Sequence, residues 1–344
     1  MNSQGKSKEI VIDILKVIGL LLIILAHIST NPIINQIRSF DVPLLVIISG
    51  MLSVKSFNKC TNVKEYYKKR VARLLIPTYI FIILYFLLVK VLKMFVGDFS
   101  YKTDWNSVIR SFLLMDGIGY VWIIRVYLLT ALSTPLLIKM KEKLNTKIYF
   151  SILILIYILY EFTFIIFGNS NYFLQYILYY IIPYGIILAI GIEISDNKVN
   201  NKKIQNVICI SFGIIYLICI AVNMAIKGEF VYTSQFKYPP RIYYISYAIF
   251  VSILLIILIS KIKIYKLSEK FVYITRFISR HSLWIYFWHV IYISLLQWSN
   301  IHISQILEYI IIVIISVLTT ILQNSIIDKI EKNKRIGILK YLKC

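Results

Sequence analysis

The 344-residue chain is short of charge and of cysteine. Only 16% of its residues are charged, whereas a soluble domain carries about 25%. A water-exposed globular protein is therefore excluded. The four cysteines, Cys60, Cys209, Cys219 and Cys344, show neither paired nor metal-like spacing, so no disulfide framework or zinc site is predicted.

Long apolar blocks make up much of the chain, since 59% of the residues are hydrophobic. The blocks are roughly 20 residues long, the length that crosses a ~30 Å hydrocarbon core. Helices satisfy their own backbone inside a bilayer, and the alternating pattern of a membrane barrel is absent. We therefore predict an all-α polytopic membrane protein with about ten transmembrane helices. The predicted spans are 9–30, 39–57, 74–96, 119–138, 148–168, 172–194, 204–226, 242–260, 281–299 and 306–327.

Basic residues are distributed unevenly between the two sets of connections. One set holds 28 of the 38 lysines and arginines, and it includes both termini. The positive-inside rule places that set in the cytoplasm, so both termini are predicted to be cytoplasmic. The net charge of +22 is then a topology signal, and nucleic acid is not a predicted partner.

One membrane domain is expected to occupy residues 1–344, with 328–344 as a short basic cytoplasmic tail and no appended soluble domain. The first apolar block ends in AHISTNP, which is not a signal-peptide cleavage site. Within the longest outer connection, 97–118, the amphipathic stretch beginning at Trp105 predicts an interfacial or re-entrant helix.

The first span carries three ionisable residues, Asp13, Lys16 and His27. Such residues are costly in a membrane and mark functional sites. Asp13 and Lys16 are helix neighbours, predicted either as a structural ion pair or as part of a donor site. Lys16 and His27 are eleven residues apart, which places them on one helix face. His27 is either an interfacial, hydrogen-bonded histidine or a general base, for which its near-neutral chemistry is suited.

Two more polar groups lie at the mouths of spans two and three. Arg70 and Arg73 share one helix face and either anchor the protein at the membrane surface or grip a phosphate. Ser49 precedes a glycine within a span, which favours close approach of another helix or of a ligand. Asp41 is interpreted either as a first-turn helix charge or as a carboxylate that orients the His27 imidazole.

Two later spans complete the set of candidate residues. Trp122 suits an interfacial aromatic belt, and Arg125, inside the same span, needs an anion, a carboxylate or a water-filled cavity. Ser282, Tyr286 and His289 recur on one helix face. His289 is predicted either as a buried structural histidine or as part of the site.

Taken together, these motifs resemble the acyltransferase-3 family of integral membrane acyltransferases, over nearly the whole chain. The family carries a basic residue and a histidine separated by ten residues, matched by Lys16 and His27. Its Arg-x-x-Arg is matched by Arg70 and Arg73. Further matches, in order, are VPLLVIISGMLS, VWIIRVYLLTALSTPLL and HSLWIYFWHV. Lys16 departs from the usual arginine, which keeps the charge but loses the planar fork.

The resemblance implies O-acetyl transfer from cytoplasmic acetyl-CoA to a hydroxyl of a surface polysaccharide, such as O-antigen or capsule. Lys16, Arg70 and Arg73 would bind the anionic coenzyme. His27 would activate the acceptor hydroxyl, with Asp41 orienting it; no metal is expected. The implied location is the bacterial cytoplasmic membrane, with membrane lipids, a lipid-linked or polymeric glycan and polysaccharide-assembly proteins as partners.

Three alternatives stay open from the sequence. A polysaccharide transporter or flippase would show repeated halves with interrupted helices, and no internal repeat is visible. A glycan polymerase would have a large arginine-rich outer loop, whereas the outer loops here are short. A relative that uses another acyl donor, such as succinyl-CoA, would differ only in the shape of its pocket.

Overall fold

A computed structural model describes residues 3–96, 104–195, 201–262, 267–299, 303–333 and 337–343, and within those ranges it is helical without strands. The all-α prediction is therefore confirmed. The helices are α1 (Ser3–Ile28), α2 (Pro32–Arg38), α3 (Asp41–Phe57), α4 (Val63–Val96), α5 (Trp105–Phe112), α6 (Trp122–Lys143), α7 (Thr146–Phe167), α8 (Tyr179–Ser195), α9 (Asn201–Lys227), α10 (Ile242–Ser260), α11 (Glu269–Arg280), α12 (Ser282–Ser299), α13 (Gln305–Asn333) and α14 (Leu339–Leu342). A π-helical turn, Leu174–Leu178, leads into α8, and a 3₁₀ turn, Thr233–Phe236, precedes α10.

Nine helical segments of the described chain are long and apolar enough to cross a membrane. Each overlaps one of the ten predicted spans, so the polytopic prediction is confirmed. The remaining predicted span, 281–299, corresponds to α12, which is 18 residues long. Histidine, glutamine and several aromatic residues lower its hydropathy, and it is not among the nine. At 1.5 Å per residue α12 is still about 27 Å long, close to the thickness of the hydrocarbon core.

The chain divides into two compact units. Unit 1 comprises Met1–Gly19, Thr30–Lys68 and Val126–Lys266, and unit 2 comprises Leu20–Ser29, Lys69–Arg125 and Leu267–Cys344. Each unit is thus assembled from three separate stretches of chain. Residues that are remote in sequence meet within each unit.

Unit 1 is organised around the close packing of α3 against α8. A Cβ built on Gly50 would lie 2.3 Å from the Leu188 carbonyl oxygen, and one built on Gly191 would lie 2.1 Å from the Ile47 carbonyl oxygen. Both helices therefore need glycine at the crossing, as small residues allow in membrane helix pairs. The close approach predicted beside Ser49 is confirmed as helix packing.

In unit 2, side-chain hydrogen bonds tie α12, α13 and α14 together. Trp288 Nε1 donates to Gln323 Oε1 at 2.7 Å, and Gln323 Nε2 donates to the Leu342 carbonyl at 2.6 Å. Trp284 Nε1 donates to the Tyr341 carbonyl at 3.1 Å. These bonds satisfy amide and indole groups that an apolar environment would penalise, and they fix the helix that carries His289.

The segment predicted as a basic tail, 328–344, is partly helical. It begins inside α13, which continues to Asn333, and α14 follows with Leu339 buried. Lys343 Nζ lies 2.6 Å from Asp328 Oδ1 and also pairs with Glu331. Residues 334–336 and 344 lie outside the described part.

The amphipathic stretch that begins at Trp105 forms a helix only in its first half. Asp104 caps α5, since its carboxylate accepts from the Ser107 amide and hydroxyl. The helix ends at Phe112, and Leu114 adopts a positive φ of 57°. The predicted helix is confirmed in this shorter form. Residues 97–103 of the same connection lie outside the described residues.

Candidate active site

His27 and His289 meet within unit 2. His27 lies in the last turn of α1, which ends at Ile28, and Asn31 then caps the start of α2. His289 is in the middle of α12 and is completely buried. His27 Nδ1 is 2.8 Å from His289 Nε2, and the two rings are nearly parallel, 9° apart. Two residues that the sequence identified separately therefore form one hydrogen-bonded dyad.

The contacts of His289 fix the direction of hydrogen bonding. Its Nδ1 faces the Tyr286 carbonyl, which can only accept, so Nδ1 carries the hydrogen. In a neutral imidazole, the form that a fully buried site tolerates, Nε2 then accepts. His27 Nδ1 must be the donor to it, and the lone pair of the His27 imidazole is left on Nε2. The arrangement orients His27 as a base.

Tyr286 supports the dyad from the same face of α12. Its ring lies 4.7 Å from the His289 ring, centroid to centroid. Its hydroxyl donates to the Tyr120 carbonyl at 2.6 Å. This contact links the histidine helix to the residues just before α6, and the predicted pairing of Tyr286 with His289 on one face is confirmed.

Tyr120 is a site residue that sequence reasoning missed. Its ring stands edge-on to the His27 ring, at 4.7 Å and 81°, and forms an aromatic wall beside the imidazole. Gly119, just before it, has φ +81°, a conformation that glycine adopts without strain. A Gly-Tyr pair two residues before the predicted Trp122 was the available signal.

Arg125 has a backbone partner within unit 2. Its Nη1 donates to the Leu114 carbonyl at 2.9 Å, in the turn where Leu114 has a positive φ. Trp122, one turn earlier on α6, is half-buried. Both residues belong to the same unit as the dyad, and Arg125 helps to hold the turn after α5.

The basic residues predicted for the donor fall in different units. Arg70 and Arg73 lie three residues apart on α4 within unit 2; Arg70 is half-buried and Arg73 is exposed. Asp13 and Lys16 are both half-buried on α1 in unit 1. The pairing of Asp13 with Lys16 and their role at the donor stay predictions.

Asp41 lies in a buried cluster of unit 1. Its Oδ2 is 2.7 Å from Arg38 Nη1, and its Oδ1 is 3.6 Å from Lys237 Nζ. Burial lowers the pKa of the Lys237 amine, while the Asp41 charge acts in the opposite direction. These contacts favour a structural role for Asp41. The orienting partner that unit 2 gives to His27 is His289.

Ser49 is half-buried on α3, beside the Gly50 contact with α8. That contact accounts for the glycine, and a ligand role for Ser49 stays a prediction. Within the described ranges, no group of three or more histidine, cysteine, aspartate or glutamate side chains could hold a metal ion.

Comparison with protein families matches residues 9–323 to the acyltransferase-3 family, whose description is "Acyltransferase domain". The match covers most of the 344 residues, and the chain belongs to that family. It is a multi-pass membrane acyltransferase. No curated protein and no solved structure matches the chain significantly.

Proposed function

We propose that the protein transfers an acetyl group from cytoplasmic acetyl-CoA to a hydroxyl of a cell-surface polysaccharide, such as O-antigen or capsule. The acceptor is a lipid-linked or polymeric glycan, and the enzyme works in the bacterial cytoplasmic membrane, alongside polysaccharide-assembly partners. Family membership supports the acyl-transfer class. The His27–His289 dyad supports the chemistry.

In the proposed step, His27 Nε2 takes the proton of the acceptor hydroxyl as its oxygen attacks the thioester carbonyl carbon. A C–O bond forms, the C–S bond breaks, and the thiolate of coenzyme A leaves and is protonated by the imidazolium. Hydroxyls are weak nucleophiles until a base assists them. His289 Nε2, which accepts from His27 Nδ1, keeps the required tautomer in place, as the third member of a catalytic triad does.

The donor is bound through its negative charge. Arg70 and Arg73 present two guanidinium groups on one face of α4, and one of them is exposed. Planar guanidinium groups suit phosphate oxygens because they donate in pairs. A donor-binding role for Lys16 is proposed from its place in the family pattern alone.

The observation that carries the proposal is the direction of hydrogen bonding. A structural histidine pair would be satisfied with either ring as the donor. Here the Tyr286 carbonyl imposes one order on both rings, and that order leaves a basic nitrogen on His27.

The test is the O-acetyl content of the surface polysaccharide, measured by proton NMR in a deletion strain. The strain is complemented at matched membrane expression with wild type, His27→Ala, Arg70→Ala/Arg73→Ala, or His281→Ala. His281 is the matched control because its Nδ1 contacts the Lys343 carbonyl, away from the dyad. We expect wild type and His281→Ala to restore the acetyl signal and the other two variants to fail.

Other outcomes separate the alternatives. Unchanged acetylation after deletion would overturn the proposal for that glycan. Loss of the polymer itself from the surface would favour a transporter or a polymerase. A succinyl signal that depends on the gene would keep the mechanism and change the donor.

A further inference from the structure

A long apolar groove lies within unit 1, between α7 and α9. Its volume is about 940 Å³. The two helices that form its walls are the least buried of the nine candidate spans. Only 11% of the residues in the apolar window of each are buried. The floor is formed by residues of α8 and α10, among them Ile186 and Ile245. Helix packing within the unit therefore leaves this groove open along its length.

Most of the side chains that line the walls of the groove are apolar. Ile154 on α7 is 60% exposed and Val207 on α9 is 55% exposed. A groove of this composition in a bilayer does not bind water, because its surface offers few hydrogen-bonding groups. An apolar chain is the ligand that fits it.

The two ends of the groove differ in charge. Lys203 lines one end, and the charge distribution of the loops places that end in the cytoplasm. Towards the other end lies Glu161, whose carboxylate accepts from Tyr157 at 2.7 Å and pairs with Arg241. Arg241 neutralises the charge of Glu161, whereas Lys203 is an exposed cation, so an anionic head group belongs at the Lys203 end.

The length of the part that both α7 and α9 line indicates how long the bound apolar chain is. Along α9, lining residues run from Lys203 to Ile215, which is about 18 Å at 1.5 Å per residue. One leaflet of a ~30 Å hydrocarbon core is about 15 Å deep. The groove therefore matches one acyl chain that starts at the cytoplasmic head-group level and ends before Glu161.

We propose that this groove is a binding site for an anionic phospholipid of the cytoplasmic leaflet, with its phosphate at Lys203 and one acyl chain between α7 and α9. The bound lipid supplies the packing that α7 and α9 do not obtain from protein. It holds both helices against the α3–α8–α10 core of unit 1. This role is separate from acyl transfer.

The test is native mass spectrometry of the purified, delipidated protein titrated with phosphatidylglycerol. Lys203→Met removes the head-group charge, and Lys202→Met is its matched control, since Lys202 does not line the groove. Ser211→Phe fills the groove from α9, and Ile210→Phe places the same ring on a neighbouring, outward position. We expect one tightly bound lipid in wild type and in both controls. Binding should be about five-fold weaker in Lys203→Met, from the contribution of one basic residue, and lost in Ser211→Phe.

Equal lipid binding by all five proteins would show that the bound lipid is ordinary boundary lipid and would overturn the proposal. A dimer without bound lipid would assign the groove to a second copy of the chain, which would also overturn it. Neither result depends on enzyme activity, so the proposed function stands or fails separately.

Discussion

In unit 1 the buried ionisable groups are paired with opposite charges, whereas in unit 2 two histidines are paired with each other. Asp41 lies between Arg38 and Lys237, and its carboxylate is held by cations. His27 and His289 form a neutral pair whose hydrogen bonds run in one direction. In a charged pair of this kind both partners are held as ions. The histidine pair offers an imidazole, which can take up a proton near neutral pH, and it is therefore the better candidate for chemistry.

The largest expected effect is that of His27→Ala on the transfer rate. Loss of a general base lowers rates by about 10²–10⁴-fold, and the KM for acetyl-CoA should change little because the base does not bind the donor. Acetyl transfer in membranes that contain equal amounts of protein measures both constants. His281→Ala serves as the control, and a His27→Ala enzyme within a few-fold of wild type would refute the assignment.

Asp41→Ala should lower stability rather than chemistry. The change leaves two cations in a buried site without their carboxylate, and breaking a buried pair costs about 3–5 kcal/mol. Thermal unfolding of the purified protein measures the loss, and Asp41→Ala/Lys237→Met should recover part of it. The rate per folded molecule should stay within a few-fold of wild type. A fall of 100-fold or more in that rate would instead support the orienting role considered from sequence.

Tyr286→Phe tests the support of the dyad. It removes the hydrogen bond to the Tyr120 carbonyl, and a net contribution of about 0.5–1.5 kcal/mol corresponds to at most about a ten-fold loss of rate. Tyr292→Phe is matched to it on α12, since its hydroxyl pairs with Thr319 at 2.6 Å. Equal rates for the two variants would show that Tyr286 acts only as packing.

The smallest effect is expected at the exposed pairs of Lys343. The hydrogen bonds that Lys343 donates to Asp328 and Glu331 raise the pKa of this lysine, so its contribution to stability is present below the unfolded pKa, about 10.4. That contribution is lost as the pH rises through the higher folded pKa. Surface pairs contribute about 1 kcal/mol or less. The free energies of unfolding of Lys343→Met and wild type should differ slightly at pH 7 and converge as the pH rises through the folded pKa. A constant difference across that range would exclude the ion pairs as its cause.

The membrane spans could be predicted from the sequence because hydropathy is a local property. The hydropathy of each candidate span depends only on the residues of that span. Most ends of the nine spans lie within a few residues of the predicted ends. The candidate site residues were also visible, since His27 and His289 are costly in a membrane and stand out in apolar surroundings.

The partners could not be predicted, because they depend on tertiary packing. His27 and His289 are 262 residues apart, and no spacing rule joins them. The sequence leaves Asp41 open between a first-turn helix charge and an orienting carboxylate. Its cations, Arg38 and Lys237, come from segments that only folding brings together. Arg125 donates to the Leu114 carbonyl, whose direction depends on a positive φ that leucine seldom adopts.

The most direct test of the account is the tautomer of His27. The chain has only four histidines, so nitrogen NMR of protein labelled with ¹⁵N-histidine in lipid nanodiscs gives a simple spectrum, assigned with His27→Ala and with His289→Gln. We predict neutral His27 and His289, both with the hydrogen on Nδ1, and a hydrogen bond from His27 Nδ1 to His289 Nε2. A His27 that carries its hydrogen on Nε2 would contradict the account, because the nitrogen required to accept the proton of the acceptor would already be occupied.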